Sequence, residues 1–386
     1  MKTKPLRYAV LLIIIAISLS CTAFAQEISI DAGGAVLIDA SGGRVLFEQD
    51  AHKKLYPASV TKIMTLLIAM EKLDEGQIGL EDRVVISNNA ANMGGSQLWM
   101  EPGEVKTVEQ LLKAIAVASG NDASVALAEH IAGTHEAFVQ MMNQRAKELG
   151  MENTNFVNCH GLHDENHYTT AYDVALMSRE LVKHKKIFEL TTIWMEDIDV
   201  GKEGRFKTFT MVNSNKLLRR YEGVDGLKTG SHSQAKYCLS ATAVKGSLRL
   251  IAVVMGAPTS EIRFAESAKL LNYGFARFNS VPIASKDDVI NQLKVSKGKE
   301  KEINVKPGTD VNILVIKGQE SSLEREVVLP KTIKAPVKEG ERVGEMLIKQ
   351  DGQVIDRIEL ISDRTVEKAG FFEMLKRLIV DWVVPE

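Results

Sequence analysis

Charge of one sign is missing from these 386 residues: 48 lysines and arginines face 50 aspartates and glutamates, a formal balance of −2. Nothing in that balance points to a nucleic-acid partner. Cysteine is scarce, with Cys21, Cys159 and Cys238 the only three. Internal repeats and low-complexity tracts are absent, and no apolar run reaches the roughly 20 residues that a membrane-spanning helix needs. What is present is length enough for two domains and an apolar fraction of 45%, sufficient for a sizeable core.

Both ends address membranes. Lys2, Lys4 and Arg7 precede an apolar run from Ala9 to Ile17, and Ala23-Phe24-Ala25 supplies a small-x-small cleavage site. Residues 1–25 are therefore expected to be an export signal, with the mature chain starting near Gln26. The alternatives are an uncleaved anchor or a lipoprotein signal at Cys21, although Ser18 stands where the latter usually has Leu. Export would permit a disulfide between Cys159 and Cys238; free thiols are the plainer expectation for two cysteines so far apart. At the other end, Val366 to Val384 has a helical period. Phe371, Leu375, Leu378 and Trp382 fall on one stripe, with Glu373, Lys376, Arg377 and Asp381 opposite. That pattern predicts an amphipathic helix over 364–386, lying in the headgroup plane or docked on its own protein.

Between the ends, Gly34 to Phe47 reads as a β-hairpin, and an amphipathic helix follows Pro57. Further helical periods cover Val108–Ala118, Ser124–Ile131, Phe138–Leu149, Ala171–Leu181 and Phe264–Phe275, with buried strands at Leu239–Ala243 and Leu248–Met255. Beyond about 280 the chain becomes charge-rich, with short alternating runs separated by turns such as Pro307-Gly308 and Asp351-Gly352. This predicts a small β domain over 284–362 after a larger one over 26–280. The β segment shows no constellation of chemically active residues.

Three short motifs carry possible chemistry. Ser59-Val-Thr-Lys62 puts a hydroxyl and an amine on one helical face, near a helix start where negative charge is favoured. A neutral lysine there can take the hydroxyl proton. The same spacing recurs at Ser233–Lys236 and Ser296–Lys299, but only Ser59 precedes a strong amphipathic helix. Ser119-Gly-Asn121 sits between two helical segments, where a tight turn can present a hydroxyl and an amide together, or simply cap two helices; Ser87-Asn88-Asn89 resembles it. Lys228-Thr-Gly230 precedes the paired strands, where an edge strand can bind a carboxylate, or where a surface strand merely turns. His160, His163 and His167 lie close together beside Cys159 and Asp164, but their uneven spacing in a loop argues for ordinary hydrogen bonds over zinc. Tyr168 to Asp173 marks a helix start.

The order of the three motifs is more specific than any one of them. Together with Tyr56-Pro-Ala-Ser-Val-Thr-Lys62, Gly161-Leu162, His167-Tyr-Thr-Thr-Ala-Tyr-Asp173, Gly223-Val-Asp-Gly-Leu-Lys-Thr-Gly230 and Leu270-Leu-Asn-Tyr-Gly-Phe275, it resembles the low-molecular-mass D-alanyl-D-alanine carboxypeptidases, relatives of the class A β-lactamases. The resemblance implies an α+β fold: a β-lactamase/penicillin-binding-protein-like domain with an antiparallel sheet and helices, then a small all-β domain and the terminal amphipathic helix. It implies no cofactor and no metal. Its partners would be peptidoglycan stem peptides, β-lactams as inhibitors, and the outer face of the bacterial cytoplasmic membrane.

The resemblance also implies roles. Ser59 would be the nucleophile and Lys62 its base, kept neutral by burial beside a second cation such as Lys228. Ser119 would relay protons to the leaving amine, and Asn121 would hold Lys62 and the substrate amide. Lys228, Thr229 and Gly230 would line the carboxylate end. The backbone N–H groups of Ser59 and Ser231 would form the oxyanion hole. Ser231 departs from relatives with His directly after Lys-Thr-Gly; here His232 comes one residue later. Arg263 is either a second carboxylate ligand or a surface arginine. A β-lactamase would need a carboxylate such as Glu165 to hold a deacylating water. A β-lactam sensor would need a transmembrane signalling segment. A transpeptidase would use the same acyl-enzyme.

Overall fold

Apolar runs without polar alternation build the centre of the molecule. The computed structural model describes residues 28–375 apart from 203; the expected export signal and positions 376–386 lie outside the described residues. β1 (Gly34–Asp39) and β2 (Val45–Gln49) form the expected hairpin. β3 (Val224–His232), β4 (Lys236–Lys245) and β5 (Leu248–Ala257) complete an antiparallel sheet of order β2-β1-β5-β4-β3. β3 is therefore an edge strand, as its Lys-Thr-Gly motif requires.

All six residues of β1 are buried. Successive side chains point to opposite faces of a sheet, so both faces must be covered. α4 (Ala171–Leu181) and α5 (Ser260–Arg277) pack directly on the sheet, and α1 (Lys62–Asp74), α2 (Asn121–Ala132) and α3 (His135–Glu148) build the core beyond α4. α5 packs on the Leu37 side, so closely that a Cβ on Gly274 would lie 2.5 Å from Leu250 Cδ1 and 2.9 Å from Leu37 Cδ2. Val36 and Ile38 face the other core, which α1, α2 and α4 fill. α1 is its axis: every residue from Lys62 to Met70 is buried. Each such large apolar side chain stabilises the fold by about 1.5–3 kcal/mol.

Helix starts are set by threonines. Thr134, Thr170 and Thr259 accept from the N–H groups of Ala137, Asp173 and Ile262, each cap contributing about 1 kcal/mol. Two expected helices differ in detail. The turn after Pro57 is 3₁₀ over Ala58–Thr61 before α1 begins. The Val108–Ala118 period is α only to Lys113, then widens to a π turn over Ala114–Ala118.

The strand leaving α5, Phe278–Ala284, pairs with Val311–Ile316. A six-stranded sheet follows, in the order Leu323–Val328, Arg342–Gln350, Gln353–Ser362, Glu302–Pro307, Asn291–Ser296, Thr332–Lys334. Its core includes Ile303, Val305, Met346, Ile348 and Leu360. Val366, expected to open the terminal helix, is instead buried in this core and bridges Val337, each accepting the other's N–H. Backbone pairing wins over helical period there, and helical backbone begins only at residue 371. Phe371 and Phe372, on its first turn, are exposed.

Candidate functional site

Glycine makes the site possible by letting three backbones meet. Gly161 has φ +90°, and a Cβ there would lie 1.9 Å from the Ala58 carbonyl oxygen. Gly230 on β3 is as tight: its Cβ would stand 2.8 Å from Pro57 O, Ser59 N and Val60 N. The 58–61 turn is thus clamped between the 160s loop and the sheet edge, which brings Gly230 against the Ser59 backbone. Ala58 itself adopts φ +47°, a conformation that costs a non-glycine residue about 1–2 kcal/mol. Thr61 helps hold it, donating to Ala58 O at 2.8 Å and lying 2.7 Å from His167 Nε2. His167 Nδ1 accepts the Val157 N–H, which leaves its proton on Nε2 facing Thr61. Burial pushes this imidazole down to about 4, so it is neutral and purely a brace.

Lys62 is the centre. Its Nζ lies 2.6 Å from Asn121 Oδ1, 2.6 Å from His160 O and 3.3 Å from Ser59 Oγ. The side chain is fully buried, and burial, then the nearby charge of Lys228, holds the amine well below the ordinary lysine range. A neutral amine has two N–H donors and one lone pair. In that neutral form the Asn121 and His160 oxygens would take both donors and leave the lone pair for the Ser59 hydroxyl.

Asn121 is fixed at both ends, since its Nδ2 donates to Gly94 O at 2.6 Å. One N–H of that amide remains for another partner. Ser119 ends the π turn with φ +62°, and π turns recur at functional positions. Its hydroxyl is buried and has no hydrogen-bond partner among the described residues. The strained turn is held from both sides: Gly120 N donates to Ala114 O, and Asn121 N to Ser96 O at 2.7 Å.

On β3, Lys228 is buried and its Nζ donates to Thr229 O at 3.1 Å. Burial, then the Arg263 charge, lowers it to about 7. Thr229 Oγ1 lies 2.5 Å from Ser214 Oγ. Arg263 is not a surface residue. It is buried, donating through Nη1 to Gly230 O and Cys238 O at 3.3 and 3.2 Å and through Nη2 to Ser260 Oγ. It therefore braces the backbone of the Lys-Thr-Gly edge from behind.

The remaining sequence candidates lie elsewhere. Ser233 Oγ donates to Gln234, Ser296 Oγ to Ile333 O, and Ser87 caps the short helix Asn88–Ala91. Of the clustered histidines, His160 and His167 are buried and accept backbone N–H groups, whereas His163 meets Tyr56 edge-on and His232 at a tilt. Cys159 and Cys238 are buried free thiols. Sequence reasoning missed Ser214, Gly94, the His160 carbonyl and the His167–Thr61 brace. Ser214 and Gly94 belong to no motif, and backbone acceptors leave no sequence signal.

A hydroxyl opposite a buried, doubly anchored amine, beside an edge strand with a second buried lysine, defines the serine acyl-transfer enzymes of the Ser-x-x-Lys type. Comparison with known proteins is in accord. The D-alanyl-D-alanine carboxypeptidase family, peptidase S11, matches residues 21–259, and the penicillin-binding protein 5 C-terminal domain matches residues 278–368. The chain is 44% identical over 358 residues to D-alanyl-D-alanine carboxypeptidase DacF of Bacillus subtilis, covering 92% of this chain and 91% of that one. It is 37% identical to DacC of Escherichia coli, covering 91% and 89%. The structure of penicillin-binding protein 5 from Haemophilus influenzae superposes with a TM-score of 0.73 at 32% identity, covering 89% of this chain and all of that one. The chain belongs to the D-alanyl-D-alanine carboxypeptidase family.

Proposed function

We propose that this chain removes the terminal D-alanine from peptidoglycan pentapeptide stems through an acyl-enzyme on Ser59. The observation that carries the proposal is the setting of the Lys62 amine: Nζ is anchored on the Asn121 and His160 oxygens at 2.6 Å each and stands 3.3 Å from the Ser59 hydroxyl. Lys62 takes the Ser59 proton as Oγ attacks the penultimate D-alanine carbonyl. The developing oxyanion accepts from the N–H groups of Ser59 and Ser231. Ser119, on the cleft wall, carries the proton to the departing amine of D-alanine. Water then attacks the ester with Lys62 again as base, and the stem is released one residue shorter. Lys228 and the Thr229 hydroxyl hold the terminal carboxylate, with Arg263 positioning their strand.

β-Lactams acylate the same Ser59. The chain acts outside the cytoplasm, exported by residues 1–25 and held at the membrane face by its C-terminal segment. Domain limits of 26–280 and 284–362 accompany this reading.

The test is intact mass of residues 26–362 with benzylpenicillin, alongside Ser59→Ala, together with D-alanine release from a D-Ala-D-Ala peptide. A persistent adduct and D-alanine release, both abolished by Ser59→Ala, are expected. Adduct formation by Ser59→Ala, or absence of release by the unaltered chain, would sink the reading.

A further inference from the structure

Beside Tyr56 lies a groove of about 390 Å³. Lys53 and Lys54 reach it from the segment before the 58–61 turn, and Lys236 from the β3–β4 turn. Glu165 is the one carboxylate in its lining. All three lysines are exposed, and among the described residues none forms an ion pair. Lys54 lies 4.4 Å above the Tyr168 ring, which also lines the groove. Three cations from two separate segments thus converge on one concavity with aromatic walls.

Tyr56 lines the groove, and Lys236 pairs with His232 at the end of β3, next to Ser231. The Tyr56 ring is three residues from Ser59 and meets His163 edge-on at 4.8 Å and His232 at 6.4 Å. On the function proposed above, an extended peptide lies along the β3 edge with its terminal carboxylate at Lys228 and Thr229. Its scissile carbonyl then sits by Ser231, and the residues upstream run past His232 toward the β3–β4 turn. At roughly 3.3–3.6 Å per residue, the second and third residues upstream extend about 7–10 Å that way, the side on which Lys236 and Tyr56 border the groove. In the stem L-Ala-γ-D-Glu-L-Lys-D-Ala-D-Ala, the second residue upstream of the scissile one, the γ-linked D-glutamate, carries a free α-carboxylate.

We propose that the Lys53–Lys54–Lys236 groove is a subsite for the D-glutamate carboxylate upstream of the D-alanine pair, and that it makes the enzyme prefer acidic over amidated stems. The inference rests on the proposed carboxypeptidase reading, and its test separates the two. kcat/KM is measured for L-Ala-γ-D-Glu-L-Lys-D-Ala-D-Ala and for the same peptide with the glutamate carboxylate as its amide. About a tenfold preference for the acid at low salt is expected, the size of a few partly screened charge pairs, shrinking as salt is raised. The preference should vanish or invert in Lys53→Glu/Lys54→Glu and weaken in Lys236→Gln. Because the readout is a ratio, loss of folded enzyme divides out. No preference in the unaltered enzyme, or one that survives the double substitution, overturns the subsite. Failure to form a Ser59 adduct with benzylpenicillin or to cleave either peptide overturns the carboxypeptidase reading, and the subsite with it.

Discussion

Gly161→Ala tests whether the clamp on the Ser59 turn sets its reactivity. The added methyl would begin 1.9 Å from Ala58 O, 2.3 Å from Ala58 C and 2.9 Å from Ser59 N. Ordinary carbon contacts start near 3.5 Å, so one backbone must retreat by about 1.5 Å. The φ of +90° adds about 1–2 kcal/mol for any L side chain. The turn cannot move away freely, because Gly230 already touches its other side within 2.8 Å of where a Cβ would be. A displacement of about 1 Å at reacting atoms slows a reaction by the order of a hundredfold. Second-order acylation by benzylpenicillin, followed by stopped flow, should therefore fall at least about a hundredfold, with a thermal midpoint several degrees lower. Acylation within about threefold of the unaltered protein, at an unchanged midpoint, would show that the turn is not confined as described.

Three further outcomes follow from the same geometry. Asn121→Ala removes an acceptor 2.6 Å from Lys62 Nζ and should slow acylation by roughly a hundredfold, within the range that a misplaced general base costs; an intact rate would mean that the His160 carbonyl alone suffices. Acylation by benzylpenicillin should rise with pH as Lys62 loses its proton and reach a plateau below the ordinary lysine range, because burial depresses that amine; a rise that continues to pH 10 and beyond would refute the neutral-base assignment. Lys228→Met should abolish peptide turnover yet raise stability in urea by roughly 1–4 kcal/mol at pH 7, as replacing a buried charge often does. Lys228 titrates at about 7 when folded and near 10.4 when unfolded. Between those values the unfolded chain holds the extra proton, so the native enzyme gains stability as pH rises and the advantage of methionine shrinks. A destabilised variant, or a gap independent of pH from 7 to 10, would contradict the burial argument.

Legibility in the sequence depended on whether a feature is local. α4 coincides with its period, Ala171–Leu181, because a threonine cap starts it and an apolar stripe runs its length. The edge position of Lys228-Thr-Gly was also readable, since buried strands follow it immediately. The Arg263 environment was not. Its helix period fixes which face is buried, but the Gly230 and Cys238 carbonyls that receive the guanidinium come from strands brought there by the sheet. Asn121 was placed near Lys62 only by resemblance, and its second bond, to Gly94 O, depends on a loop with no periodic signal. The terminal helix, expected over 364–386, was placed seven residues early because Val366 fits both a helical stripe and a bridge to Val337. The helical period ignored the competing backbone pairing available within the β core.

The site is held together by features that oppose folding. Among the described residues, Lys62 and Lys228 are buried without a carboxylate partner, and Ala58 and Ser119 carry left-handed backbone. Each would relax if its surroundings allowed: Lys62 by turning to water, Ser119 by returning to the helical basin. They cannot, because α1 is buried around its whole circumference from Lys62 to Met70 and the glycines at 161 and 230 leave the 58–61 turn no room. The core therefore supplies more than stability. Its burial holds the Lys62 amine well below the ordinary lysine range, and its tightness fixes the distance to Ser59. A loosened core, such as Ile63→Ala beneath the turn, should impair acylation more than its distance from the hydroxyl suggests.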